Sequence, residues 1–166
     1  MKRLPPLLLL AAPYAIAAIF VWTHVPSAAL ILWLAMVVLV FAPNMAYAFW
    51  LPKLGWDGRR LLFWGLMLKV CNLPFFLAVF LFCLLTFPFS IPLLIPLFLF
   101  DVSLLLPSAA YGASGALCAL REGRLSRRAA IVSAALMFVF CLDVFAAAVC
   151  YCRVRRAKRT PAAVPR

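Results

Sequence analysis

The chain has 166 residues, of which 69% are hydrophobic and only 12% are charged. Globular soluble domains average about 45–50% apolar and about 25% charged residues. A soluble protein of this length has too few charges to cover so much apolar surface. The composition therefore excludes a soluble enzyme and a disordered chain. It predicts an all-α, multi-pass integral membrane protein of the cell membrane.

The charges are distributed as in an inserted membrane protein. Sixteen Lys and Arg residues face four acidic residues, and the positive charges flank the apolar runs. In a soluble protein this excess would suggest nucleic acid binding, but flanking positive charges are the ordinary pattern of membrane insertion. We therefore expect the lipid bilayer as the main partner, with another membrane protein or a second copy as a further one, and no nucleic acid.

Apolar runs of about 18 residues or more predict spanning helices. Five such runs are present, at residues 4–22, 27–51, 61–87, 97–120 and 129–152. Together they predict one helical bundle over residues 1–152. Residues 153–166 are basic, end in Pro and Ala, and predict a disordered tail.

Prolines complicate the fourth run. Three of them lie within residues 88–96, where loss of amide donors and clashes with the preceding turn disfavour a helix. We expect residues 88–96 to connect two helices at the membrane surface, and the following helix to be kinked near Pro107. Ser126 is the expected N-cap of the fifth span.

Five spans place the C-terminal tail on the opposite side from the loop at residues 121–128. Neither orientation then satisfies the positive-inside rule, because the basic residues are divided between both sides. A sixth span at 107–120 would bring the tail inside, but 14 residues form about 21 Å of helix, against a hydrocarbon core of roughly 30 Å. We retain five spans as the expectation.

Polar side chains within apolar runs are costly and are functional candidates by default. The candidates are Asn44, Lys69, Asn72, Asp101 and Asp143. In one interpretation, Lys69, Asn72 and Asp143 form a cluster that lines a substrate or proton path. In the other, Lys69 extends toward the interface while Asn72 and Asp143 share a structural hydrogen bond. Asp101 is expected at the outer surface, near the start of the fourth span.

Small residues recur at helical spacing in the fourth span, which permits close approach of helix backbones. The expected packing residues are Ser108, Gly112, Gly115 and Ala116. The segment Gly112-Ala113-Ser114-Gly115-Ala116-Leu117 also resembles the serine motif of rhomboid intramembrane proteases. That resemblance implies a membrane bundle, but a rhomboid protease requires a histidine on a later span, and His24 is the single histidine. The resemblance therefore implies at most a relative without protease activity.

The six cysteines form no C-x-x-C pair and do not indicate a zinc site. The sequence also has no Gly-rich phosphate-binding loop and no pair of acidic residues for acid–base catalysis, so we expect no catalytic residues, cofactor or metal. The expected function is that of a non-catalytic accessory or assembly subunit that holds a partner through small-residue and aromatic faces. The alternatives are a small transporter or permeation subunit that uses the Lys/Asn/Asp cluster, and a degenerate rhomboid-like protein.

Overall fold

A computed structural model describes residues 4–23, 26–86, 91–139 and 142–157. These segments are helical and contain no strand, so the all-α prediction is confirmed. The helices are α1 (Leu4–Thr23), α2 (Pro26–Met36), α3 (Ala42–Trp50), α4 (Gly58–Thr86), α5 (Ile91–Arg121), α6 (Arg127–Leu136) and α7 (Leu142–Arg156). A π-helical turn at Val37–Phe41 joins α2 to α3, and a 3₁₀ turn at Leu51–Leu54 follows α3.

Three helical segments of the described chain are long and apolar enough to cross a membrane, rather than the five predicted. They are Leu30–Leu54, Gly58–Leu85 and Leu94–Arg121. A shorter apolar segment, Pro5–Ile19, lies within α1. The count differs most clearly at the predicted fifth span, which is not one helix.

Helices α4 and α5 form the centre of the bundle. Their backbones approach closely at glycines, because a Cβ on Gly65 would lie 2.9 Å from the amide nitrogen of Gly112. One turn further along, a Cβ on Gly115 of α5 would lie 2.8 Å from the amide nitrogen of Leu62 in α4. Another turn further, a Cβ on Gly58 of α4 would lie 2.7 Å from the amide nitrogen of Ala119 in α5. The two helices can pack at this distance only because side chains are absent at these positions.

The helix α5 begins earlier than the prolines suggested. Ile91 is its first residue, so Pro92 lies in the first turn, where an amide donor is not needed. Pro96 and Pro107 lie inside the helix. The predicted connection over residues 88–96 is therefore wrong from Ile91 onward, and residues 87–90 lie outside the described residues.

The predicted fifth span, at residues 129–152, is a helical hairpin. The helix α6 ends at Leu136, and the amides of Phe138 and Val139 then bond the carbonyls of Ala135 and Leu136 in tightened turns. The helix α7 starts at Leu142 and runs back beside α6. Ser126 is the N-cap of α6, accepting a hydrogen bond from the amide of Ala129, as predicted.

The hairpin returns the chain to the end of the bundle from which α6 starts. At this end the amide of Gly58, which begins α4, donates to Oε1 of Glu122, which follows α5, at 2.8 Å. Near the end of α7, the Tyr151 ring lies 6.1 Å from that of Phe63, in the second turn of α4. The end of α7 therefore lies beside the start of α4, not at the far end of the bundle.

This arrangement collects the positive charge at one end, which we call the basic end. All described Lys and Arg residues except Lys69 lie there: Lys53, Arg59, Arg60, Arg121, Arg124, Arg127, Arg128, Arg153, Arg155 and Arg156. Five spans would place the end of the last helix opposite the 121–128 loop, but α7 ends on the same side of the bundle as that loop, because α6 and α7 form a turn rather than a crossing. The helix α7 also continues to Arg156, into the segment expected to be disordered, and residues 158–166 lie outside the described residues.

Candidate functional site

A buried ion pair joins the long helix α4 to the tip of the hairpin. Nζ of Lys69 lies 2.7 Å from Oδ2 of Asp143 and donates a second hydrogen bond, of 3.2 Å, to the carbonyl oxygen of Met137. Lys69 is 0% exposed and Asp143 is 3% exposed. The interpretation in which Lys69 extends to the interface is therefore wrong, because its ammonium group is enclosed.

The two charges lie at the ends of the short helices where each is stabilised. Lys69 contacts a carbonyl just after the C-terminus of α6, which carries partial negative charge. Asp143 lies in the first turn of α7, where partial positive charge favours a carboxylate, and its Oδ1 accepts the amide of Val144 at 2.7 Å. The pair therefore satisfies backbone groups that the break between α6 and α7 leaves free.

The pair lies well away from the ends of α4. Lys69 follows Gly58 by eleven residues, which corresponds to about 16 Å of helix. A hydrocarbon core is roughly 30 Å thick, so in a bilayer the ion pair and the hairpin tip would lie near half depth. Non-helical backbone is tolerated at such a depth only where protein encloses it or where it lines a cavity.

A groove between α4 and α7 opens beside the pair. It measures about 400 Å³, and Asp143 is the single charged residue among those that line it. The other lining residues are apolar: Leu73, Phe76, Leu77, Phe80, Val144 and Phe145. Leu73, Leu77 and Phe80 are also exposed on the outer face of the bundle. The groove therefore opens on the apolar exterior and has Asp143 of the ion pair in its wall.

Asn72 and Asp101, two other candidate residues, do not join this pair. Asn72 is buried one turn beyond Lys69, and its Oδ1 has no hydrogen-bond partner among the described residues. Asp101 is half-buried in α5, and its Oδ1 is likewise without a hydrogen-bond partner within the described part of the chain. The structure thus brings together two of the three residues of the predicted cluster.

Asn44 belongs to a separate polar contact on the other side of the bundle. Its Oδ1 accepts a hydrogen bond of 3.0 Å from the Tyr111 hydroxyl, and its Nδ2 donates to the carbonyl of Val40 at 2.8 Å. Val40 lies in the π-helical turn, where the ordinary helical hydrogen bonds are altered. Asn44 therefore links α3 to α5 and satisfies local backbone.

The small residues of α5 are covered by the chain itself. Ser108 and Ala116 are buried, Gly115 lies against α4, and a Cβ on Gly112 would meet Sδ of Met137. These residues therefore do not form a face that is free for another protein. Ser114 of the rhomboid-like segment is also buried, and its hydroxyl donates to the carbonyl of Ala48 at 2.8 Å. His24 lies outside the described residues.

Sequence reasoning missed two contact residues. Met137 supplies a carbonyl to Lys69 and packs on Gly112, but nothing distinguishes it from other apolar residues in the printed sequence. Glu122 bonds the amide of Gly58 and pairs with Arg124 at 3.1 Å. The feature of the sequence that could have indicated the contact of Glu122 with Gly58 is a single acidic residue within the otherwise basic loop at residues 121–128.

Comparison with protein-family models, with curated proteins and with solved structures gave no match.

Proposed function

We propose that this protein is a small membrane transport protein and that its amphipathic substrate moves along the groove between α4 and α7. The supporting observation is the apolar groove of about 400 Å³ that is lined in part by Asp143, a member of the buried ion pair. A substrate that enters from the bilayer presents apolar surface to the groove and a polar group to the ion pair.

The energetics of the ion pair favour a role beyond stability. Replacing a buried ion pair by apolar residues of similar volume is often neutral or stabilising by about 1–4 kcal/mol. An ion pair at half depth is therefore expected to contribute little net free energy to the stability of the hairpin. Discontinuous helices whose ends meet near the bilayer midplane form substrate sites in transporters, where their free backbone groups and dipoles contact polar ligands.

The experiment measures movement of a fluorescent zwitterionic phospholipid between leaflets. Liposomes with and without purified protein carry a nitrobenzoxadiazole-labelled phosphatidylcholine, and external dithionite bleaches the outer leaflet. We expect the wild type to expose inner-leaflet label that remains protected in protein-free liposomes. Equal protection in both kinds of liposome would refute transport of this class of substrate.

The variant Lys69→Met/Asp143→Leu removes both charges without leaving either one unpaired. It is expected to insert and fold, yet to lose the protein-dependent bleaching. Asp101→Asn is the matched control, because it removes a carboxylate from a neighbouring helix outside the groove. Bleaching by the double variant at the wild-type rate would show that the ion pair has no part in transport.

A second candidate function is that of an accessory or assembly subunit. Asp101 favours it, since a half-buried carboxylate on an apolar helix can be paired with a donor from another protein. The expected result is that Asp101→Leu lowers the oligomeric mass measured by light scattering in detergent. An identical, monomeric mass for the wild type and the variant would exclude self-assembly through this residue.

A further inference from the structure

A second groove lies at the basic end, between the first turns of α4 and the last turns of α7. It measures about 630 Å³. Four aromatic residues, Trp56, Phe63, Trp64 and Tyr151, form much of its wall. Three of these rings contact one another, with ring centroids 6.3 Å apart for Phe63 and Trp64 and 6.1 Å apart for Phe63 and Tyr151. The aromatic wall therefore joins the start of α4 to the end of α7.

Two exposed arginines supply its positive charge, which exceeds the single negative charge of Asp57 in the same lining. Arg59 and Arg60 line the groove and are the first charged residues of α4. The salt bridges among the described residues use Lys69 and Arg124 instead. Asp57 also lines the groove, and its backbone carbonyl accepts the amides of Arg60 and Leu61. Guanidinium groups beside aromatic rings favour a phosphate, which can bind an arginine through two parallel hydrogen bonds.

The surroundings of the groove add to its positive potential. Arg153, Arg155 and Arg156 are exposed on the last turns of α7, next to Tyr151. Each basic residue near a membrane surface contributes about 1 kcal/mol to the attraction of anionic lipid. The electrostatic complement of this groove is therefore an anion.

An apolar stripe distinguishes a lipid from other anions. Starting at the groove, α4 exposes Phe63, Met67, Val70, Leu73 and Leu77, which recur at helical spacing on one face. A headgroup held at Arg59 and Arg60 would place its acyl chains along this stripe. A nucleic acid or an acidic peptide has no apolar tail to cover it.

We propose that the groove lined by Arg59, Arg60, Trp64 and Tyr151 binds the phosphate headgroup of an anionic phospholipid, whose acyl chains lie along the exposed face of α4. Trp64 and Tyr151 position the glycerol region at the membrane interface, where amphipathic rings prefer to lie. This groove lies between the same two helices as the proposed transport path, and Leu73 and Leu77 belong both to the exposed stripe and to that path, but headgroup binding is measured separately, because a lipid can bind here without crossing the bilayer.

The test is quenching of tryptophan fluorescence by brominated lipids, since Trp56 and Trp64 line the groove. The full-length protein is reconstituted in phosphatidylcholine vesicles with increasing brominated phosphatidylglycerol or, in parallel, brominated phosphatidylcholine. The wild type is expected to be quenched at a lower mole fraction of the anionic lipid. Equal quenching curves for the two lipids would overturn the proposal.

Variants separate this groove from the general positive field. Both Arg59→Gln/Arg60→Gln and Arg127→Gln/Arg128→Gln remove two positive charges from the same end, so each should weaken the preference for phosphatidylglycerol by roughly 25-fold, from about fivefold for each arginine. Arg59→Gln/Arg60→Gln also removes the hydrogen bonds to the phosphate and should lose roughly a further tenfold or more, whereas Arg127→Gln/Arg128→Gln leaves the groove intact and should show the first loss only. Equal loss in both variants would show general attraction only. Relief of quenching by millimolar inorganic phosphate would assign the groove to free phosphate and overturn the lipid proposal.

Discussion

Removing one partner of the Lys69–Asp143 pair should destabilise the protein far more than removing both. Both side chains are buried, and the contact between them is 2.7 Å. Lys69→Met leaves a buried carboxylate without its cation and the Met137 carbonyl without its donor. Breaking a buried pair in this way costs about 3–5 kcal/mol of unfolding free energy. Asp143→Leu, which leaves the ammonium group unpaired, should cost a similar amount.

The double variant Lys69→Met/Asp143→Leu should recover most of this loss, because no buried charge remains. Summed costs of the single variants would then exceed the cost of the double variant by about 3 kcal/mol or more, which is the coupling energy of the pair. Unfolding by sodium dodecyl sulfate in mixed micelles, followed by circular dichroism, measures each free energy. Lys53→Met is the surface control, since Lys53 lies over the Trp50 ring at 4.9 Å and should contribute about 1 kcal/mol or less.

Additive effects of the two single variants, each below about 1 kcal/mol, would refute this reasoning. Such a result would mean that the ammonium and carboxylate groups are hydrated and that the hairpin tip is open to water. It would also remove the basis for a polar contact enclosed at half depth.

Three further predictions concern the packing of α5. Gly65→Leu should reduce stability by at least about 1–3 kcal/mol in the same assay, because its Cβ meets the backbone of Gly112, whereas Ala78→Leu on the exposed face of α4 should have little effect. Tyr111→Phe should cost about 1–3 kcal/mol by leaving Oδ1 of Asn44 without its donor, and a change within error would contradict that hydrogen bond. A fluorophosphonate probe should not label Ser114, because its hydroxyl is buried and bonded to Ala48, so labelling that disappears in Ser114→Ala would be the opposing result.

Hydropathy predicts the all-α class of this protein and identifies the polar residues that lie within apolar runs. It does not predict the hairpin. A run of apolar residues from 129 to 152 has the length of one span, and the break after Leu136 contains no glycine or proline. At the break, the free carbonyl of Met137 accepts a hydrogen bond from Lys69, which lies far away in sequence. Since periodicity within one segment carries no information about such a partner, the break could not be predicted from that segment.

Only part of the candidate site could be predicted, because some of its contacts also depend on residues that are distant in sequence. Lys69 and Asp143 stand out as charges in apolar runs, and their pairing follows from the cost of burying either one alone. By contrast, the placement of Asn44 beside Tyr111 depends on the packing of α3 on α5. The start of α5 is not evident from its prolines, because Pro92 lies in the first turn, where a missing amide donor does not interrupt the helix.

The helices α6 and α7 return the chain to the end of the bundle from which α6 starts, so in a membrane they would form a re-entrant hairpin with both ends on one side. The most direct test places single cysteines at Arg128 and Arg155 in a variant without native cysteines and labels intact cells with a membrane-impermeant maleimide. Both positions should show the same accessibility before and after the membrane is opened. Labelling of one position from outside and of the other only after lysis would mean that residues 129–152 cross the membrane, which would contradict the hairpin.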